Sequence, residues 1–221
     1  AFVGGGMVNS LSQRVGEVVA QEARQLYELG RIDAAVATYH KALEVPFDDP
    51  RQRGWALRDL GEVLVHQQRP AEAVPFLCEC LEAYPDDLKA HGLLCQAYRH
   101  AGRHEEALAA AQEWFRRATN QDHAGDRAHA KYHMGLAHEA LGRRDEAIDA
   151  YIEGHAIKED SLNAFHAAKL LNAQGRHAEA LGLIEVFIQH GSGWRLDSAR
   201  KLRETLMASG AGNGKKQQRG E

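Results

Sequence analysis

From residue 128 to 151 the chain reads AHAKYHMGLAHEALGRRDEAIDAY, with bulky apolar side chains at Met134, Ile148 and Tyr151 and small residues at Gly135, Gly142 and Ala147 between them. Helical spacing on both sides of a glycine predicts two short helices folded across one tight turn, with the small residues marking where they touch. Weaker copies of this pattern run along nearly the whole chain. After SLSQ, a capping box in which Gln13 reaches back to Ser10, Leu11, Val15, Val18 and Leu26 recur at helical spacing and predict a first helix ending near Leu29. Gly30 follows as a left-handed cap, Arg31 places a cation beside the negative helix end, and Asp33 opens a second helix carrying Ala35, Tyr39, Ala42 and Leu43.

The same turn is written five times, as GRID, QRPA, GRHE, GRRD and GRHA, with arginine always in second place. A cation at a helix C-terminus is stabilising by a few tenths of a kcal/mol to ~1 kcal/mol, which accounts for the arginines without a ligand. The alanines that follow these turns, Ala35, Ala73, Ala107, Ala147 and Ala180, are spaced 38, 34, 40 and 33 residues apart. Two junctions therefore hold one period and two are longer, and DDPRQRG at 48–54 and NQDHAGD at 120–126 are expected to be loops that absorb the excess. The second copy has Gln68 in place of the turn glycine and Pro75 inside its second helix. A missing N–H there should delay or kink the helix, at a cost that can reach ~3 kcal/mol, making this copy the expected weak link. Near the end, Leu196, Ala199, Leu202 and Leu206 share one face and predict a capping helix over 195–209, whereas 210–221 has no apolar periodicity and is expected to be disordered.

Charge and composition narrow the function. With 27 basic against 31 acidic residues and a formal charge of -4, there is no bulk positive field to hold a polyanion, and only KKQQR in the tail is locally basic. No apolar run approaches the ~18 residues that span a bilayer. The opening AFVGGGMVNS lacks the charged and apolar regions of a signal peptide and reads as a tag remnant or clipped fragment with the natural start at Met7. Three cysteines do not make a disulfide framework, so a reducing compartment is the simpler reading. Cys78 and Cys80, two apart on a helix, point to opposite sides. Cys80 and Cys95 occupy small packing positions on neighbouring helices, either as plain buried hydrophobes or close enough to pair under oxidation. Among the 13 histidines, His129 and His133 stand four apart with Asp126 three residues earlier, a set able to converge on a cation, but no HExxH glutamate accompanies them. No nucleophile elbow, phosphate loop, dinucleotide fingerprint or kinase motif appears, so catalysis has no residue to argue from.

The repeating unit resembles the tetratricopeptide repeat. That family's pattern of ~34 residues has an L-G pair, an aromatic, a turn glycine, an alanine, an aromatic and a closing proline. It is matched by Met134 and Gly135, then Gly142, Ala147 and Tyr151, with His138 at the first aromatic position and Gly154 where a second alanine is usual. His138 is expected to be a hydrogen-bonded core histidine. The other copies carry Leu60, Gly61, Ala73, Leu77, Cys80 and Pro85; Leu94, Cys95, Tyr98, Gly102 and Ala107, with Trp114 at the second alanine position; and Ala168, Leu171, Gly175, Ala180, Ile184 and Phe187. The units fall at about 16–49, 54–87, 88–121, 128–160 and 161–194.

The resemblance implies an all-α, right-handed superhelical solenoid of five helix pairs plus the capping helix, whose first helices line a concave groove that holds a peptide or partner helix. The groove positions are Arg24, Tyr27, Trp55, Arg58, Glu62, His66, Lys89, Gln96, Arg99, His100, His129, Tyr132, Glu139, Phe165, Lys169 and Asn172. Arginine with tyrosine and tryptophan is the composition of binding hot spots, and the cations suit acidic or C-terminal carboxylate groups of a peptide. Some members grip a carboxylate with lysines and asparagines, but here Ala20, Arg24 and Asp59 stand at those places. The implied function is a non-enzymatic, cytoplasmic scaffold or adaptor for a protein or peptide, without cofactor, nucleic acid or membrane insertion. The alternatives are the repeat region of a larger enzyme or regulatory protein, a metal-binding protein using Asp126, His129 and His133, and self-association through the groove.

Overall fold

The computed structural model describes residues 14–159, 162–190 and 195–217. The capping box at Ser10, the start at Met7 and the GSGW link lie outside the described residues. Among those residues the structure is all helical, and it divides into two compact units, 1–103 and 104–221. The first contains α1 (Val15–Glu28), α2 (Ile32–Leu43), α3 (Pro50–His66), α4 (Pro70–Ala83) and α5 (Leu88–His100). The second contains α6 (His104–Asn120), α7 (Ala124–Ala140), α8 (Arg144–Ile157), α9 (Leu162–Ala173), α10 (His177–His190) and α11 (Arg195–Gln217).

The repeated turn closes in one way throughout. Gly30, Gly102, Gly142 and Gly175 have φ of +72°, +74°, +75° and +78°, and the N–H of the following arginine returns to the carbonyl five residues back: Arg31 to Leu26, Arg103 to Tyr98, Arg143 to His138 and Arg176 to Leu171, at 2.8–2.9 Å. This is the two-bond helix ending that needs a left-handed residue. Gln68 adopts it too, at φ 57°, with Arg69 N–H reaching Leu64 O at 2.9 Å. Two of these arginine side chains turn forward, Arg69 to Glu72 and Arg176 to Glu179, each at 2.7 Å, whereas Arg143 reaches back to Glu105 at 2.6 Å.

Between the helices of a pair, small faces large. A Cβ on Gly61 would lie 2.6 Å from Leu77 Cδ2, and one on Gly135 would lie 2.6 Å from Tyr151 Cζ. Those distances are too short for any side chain, so glycine sets the separation. Leu77, Tyr151, Ile184 and Phe187 are buried on these seams, and α11 closes the second unit by placing Ala199 and Leu206 against Ile184 and Phe187.

Four expectations are corrected. DDPRQRG is not a loop: Asp49 caps α3, accepting the Arg51 N–H at 2.8 Å, and Pro50 opens it. NQDHAGD is a turn of three residues between the end of α6 at Asn120 and the start of α7 at Ala124. The excess length is helical: α3, α6 and α7 have 17 residues against 14 in α1, α4 and α8. Pro75 does not delay α4, which starts at Pro70 and runs through it, because Pro75 is exposed and water can take the carbonyl it leaves unbonded. Finally, α11 continues past 209 to Gln217. Its docked first turns serve as a nucleus, from which each added residue fixes only its own dihedrals for one further bond.

Candidate functional site

In the first unit, α1 and α3 leave a trough with two adjoining hollows, the second also bordered by Lys89 of α5. One, of about 430 Å³, is lined by Glu17, Gln21, Arg24 and Glu28 from α1 and by Gln52, Trp55 and Asp59 from α3. The other, of about 330 Å³, takes Arg24, Tyr27, Arg58, Asp59, Glu62 and Lys89. Of the residues read as groove positions, Arg24, Tyr27, Trp55, Arg58 and Lys89 thus line one or both of these hollows. His66 joins them indirectly, with Nδ1 2.7 Å from the Tyr27 hydroxyl. Gln96, Arg99 and His100 line neither hollow. Arg99 Nη2 donates to His100 Nε2 at 2.6 Å, and burial with the adjacent Arg99 charge holds the His100 imidazole below its ordinary pKa.

The trough is organised by Asp59, which is only 8% exposed. Arg24 Nε donates to its Oδ2 at 3.1 Å and Arg58 Nη2 to its Oδ1 at 3.2 Å. Arg58 Nη1 also reaches Asp87 Oδ2 at 3.0 Å, while Asp87 Oδ1 caps α5 by accepting the Ala90 N–H at 2.9 Å. The bond to Asp59 and its charge strengthen the Arg24 guanidinium's hold on its proton. For Arg58, burial works the other way, and the nearby charges of Asp87 and Asp59 outweigh it. Tyr39 beneath them is buried and its phenol is pushed up to about 12, first by burial and then by the Asp59 charge.

The expectation of free cations for an acidic ligand fails in this unit. Arg24 and Arg58 are neutralised by Asp59 and Asp87, and Lys89 Nζ is held by Glu62 Oε2 at 2.7 Å. The first hollow carries Glu17, Glu28 and Asp59 against Arg24 alone among its charged lining residues. Glu17 Oε1 accepts the Asp48 N–H at 2.7 Å, while its buried Oε2 has no hydrogen-bond partner among the described residues. Trp55 is 42% exposed and stands between the first hollow and a smaller one beside Tyr84. Sequence reasoning missed Asp59 as the hub. The available signal was a carboxylate inside WALRDLGEVLV, where the apolar spacing puts position 59 on the buried side and burial demands a paired cation.

In the second unit the proposed cation ligands do not converge. Trp114, 5% exposed, donates its indole Nε1–H to Asp126 Oδ1 at 3.0 Å, and its ring packs against those of His129 and His133, at 6.4 and 5.7 Å between centroids. Asp126 Oδ2 is engaged by His123 Nδ1 at 2.5 Å. Among the described residues no group of three or more His, Cys, Asp or Glu side chains is arranged to hold a metal ion. His138 is half-buried, and its Nδ1 has no hydrogen-bond partner among the described residues, so the expected hydrogen-bonded core histidine is not found. Asn172 Oδ1 lies 3.1 Å from His177 Nδ1. Tyr132 packs edge-on to His166 at 5.1 Å, and Phe165 and Lys169 line a hollow of about 470 Å³ with His166, Arg195, Ser198 and Leu202.

All three cysteines are free. Burial pushes the Cys80 thiol up to about 12 and the Cys95 thiol higher still, which disfavours the thiolate that disulfide exchange requires. Among the described residues no helix is long and apolar enough to cross a membrane.

Sequence profiles described as tetratricopeptide repeat match residues 19–86, 64–132, 128–160 and 164–185. The uncharacterized protein y4yS of Sinorhizobium fredii is 32% identical over 131 residues, covering 53% of this chain and 68% of that protein. Among solved structures, TTC0263, a tetratricopeptide repeat protein of Thermus thermophilus, superposes with a TM-score of 0.57 at 21% identity, over 88% of this chain and 98% of that one. YrrB, described as having an unusual peptide-binding site, gives a TM-score of 0.60 at 24% identity, over 72% and 77%. At these identities the structural likeness is one of fold.

Proposed function

Because this chain belongs to the tetratricopeptide repeat family, we propose that it is a non-enzymatic protein-interaction scaffold whose first unit holds an extended partner segment in the trough between α1 and α3, beside Lys89 of α5. The observation that carries this reading is the Asp59 network. Arg24, Arg58 and Asp87 hold one another in place before any ligand arrives, so binding orders the partner rather than the trough. The peptide-binding site named for YrrB supports the same reading at the level of fold.

The electrostatics favour a segment rich in hydrogen-bond donors over an acidic one. Glu28 offers an acceptor in the first hollow and Glu17 adds negative charge beside it, so that a basic side chain or a run of backbone N–H groups gains charge-assisted bonds there. Trp55 supplies the exposed aromatic surface beside it. A cytoplasmic setting accords with three free cysteines, and the formal charge of -4 accords with protein rather than nucleic-acid partners.

Site-specific photocrosslinking in cells tests this. A benzophenone side chain at Gln21, on the trough, is expected to trap a partner, whereas one at Asp149, on the exposed side of α8, is not. Adducts of equal yield from both positions, or from Asp149 alone, would remove the trough as the site.

A further inference from the structure

The first hollow, between α1 and α3, carries negative charge that its own residues do not cancel. Arg24 is matched by Asp59, which leaves Glu17 and Glu28 among the charged residues of the lining. Glu17 Oε1 accepts the N–H groups of Asp48 and Asp49 at 2.7 and 3.2 Å, and its buried Oε2 adds charge without a hydrogen-bond partner among the described residues. The Glu28 side chain is exposed and makes no hydrogen bond or ion pair among the described residues. Residues 1–13, which precede α1, contain no Lys, Arg or His and so bring no basic side chain to balance it. The uncharged lining is also uncommitted. The side-chain amides of Gln21 and Gln25, one turn apart on α1, and of Gln52 on α3 have no hydrogen-bond partner among the described residues, and Trp55 beside them is 42% exposed.

We propose that this hollow binds an alkylammonium group, a primary amine on a methylene chain, with Glu28 taking its charge, the Gln21, Gln25 and Gln52 carbonyls accepting its N–H groups and Trp55 covering its methylenes. The three donors of an ammonium can turn to separate acceptors, which suits a carboxylate and carbonyls carried by two helices, whereas a planar guanidinium asks for a coplanar pair. An indole face attracts the cation and packs on the chain behind it. A divalent metal ion needs several oxygen or nitrogen ligands on one point, and among the described residues no group of three His, Cys, Asp or Glu side chains supplies them. A neutral apolar ligand would leave the charges of Glu17 and Glu28 uncompensated. The volume of about 430 Å³ falls in the range of small-ligand sites. The same chemistry is offered by a free di- or polyamine and by a lysine side chain of a bound segment. The lysine source rests on the reading of the trough as a partner site; the free amine does not, and it would compete with the segment for the hollow.

Isothermal titration of the full chain with spermidine and with acetyl-Ala-Lys-Ala amide tests the proposal and separates the two sources. Each is run beside a neutral analogue, triacetylspermidine and the peptide with norleucine for lysine, at physiological ionic strength, where exposed charges more than about 8 Å apart are largely screened. At least one amine is expected to bind, with its neutral analogue and the Glu28→Gln variant weaker by about tenfold, the usual yield of one charge-assisted bond. Trp55→Ala should weaken it by about three- to fivefold, as loss of an exposed cation–π contact does. Both side chains are exposed, so both variants keep the fold. Binding of spermidine identifies a free amine as a sufficient ligand, and binding of the peptide alone identifies a lysine in a chain. Asp149→Asn, which removes an equal charge from the exposed side of α8 in the second unit, is expected to leave these affinities unchanged. Neither amine binding, neutral analogues binding as tightly, full affinity in either first-unit variant, or an equal loss in Asp149→Asn would overturn the proposal. Each of these results would leave the crosslinking test of the partner site standing.

Discussion

Gly154 on α8 and Asn163 on α9 are in direct contact: a Cβ on Gly154 would lie 2.6 Å from Asn163 Nδ2, the atom that donates to the Ala128 carbonyl of α7 at 3.1 Å. One missing methyl group thus lets a buried amide join three helices. Alanine is the better helix former by about 0.5–1 kcal/mol, so an unconstrained Gly154→Ala would be stabilising. Here it must displace Asn163, and we expect a loss of about 1–3 kcal/mol by urea denaturation. A variant more stable than the wild type would refute the contact.

Gln68 provides the opposite sign. It is the glutamine among five otherwise glycine-closed turns and holds φ at 57°. A left-handed conformation costs a residue with a Cβ about 1–2 kcal/mol. Gln68→Gly should therefore raise the melting temperature, the usual penalty of glycine in the unfolded chain being smaller than the strain relieved. An unchanged or lower melt would mean that the turn carries no strain.

The helix pairs were legible because each is written redundantly, in a turn glycine, a following alanine and apolar spacing. The lengthened junctions were not, because their charged and polar residues have the composition of a loop. The signals against that reading were present in Asp49 followed by Pro50, a cap and first-turn pair that opens α3. The groove was half legible. Spacing places Arg24, Arg58 and Lys89 on the helices that border the trough, but whether a cation is available depends largely on what lies one helix away. Asp59, Asp87 and Glu62 stand 35, 29 and 27 residues from Arg24, Arg58 and Lys89, and of the three only Asp59 carries a periodic mark. Trp114 could not be read as the partner of Asp126 for the same reason.

The Asp59 network predicts unequal effects of removing its members. Asp59→Ala leaves Arg24 and Arg58 without their shared carboxylate and should cost about 2–3 kcal/mol. Arg24→Ala should cost less, because Asp59 keeps Arg58 and the side chain of Arg24 is 53% exposed to solvent. Equal losses in chemical denaturation would contradict the assignment of Asp59 as the hub.

Glu113 gives a pH signature for the second unit. It accepts from Arg116 Nε and Arg117 Nε, each at 2.7 Å, and the bonds to Arg116 and then Arg117 lower its pKa to about 2. A carboxylate depressed in the folded state contributes stability that is present above its ordinary value and is lost as pH falls through about 2. Because Glu113 is 39% exposed, screening reduces that contribution to a few tenths of a kcal/mol. The carboxyl carbon resonance of Glu113 should titrate near 2, and a midpoint at the ordinary glutamate value would show the pairs absent in solution.

Affinity capture from a lysate of the source organism, comparing the wild type with a Trp55→Ala, Lys89→Ala double variant, tests the central claim most directly. Both residues line the trough, and neither touches Asp59 through a hydrogen bond, so the variant should melt like the wild type. The account predicts a specific protein retained by the wild type and lost from the folded variant. The same protein retained equally by both would contradict it and move binding off the trough.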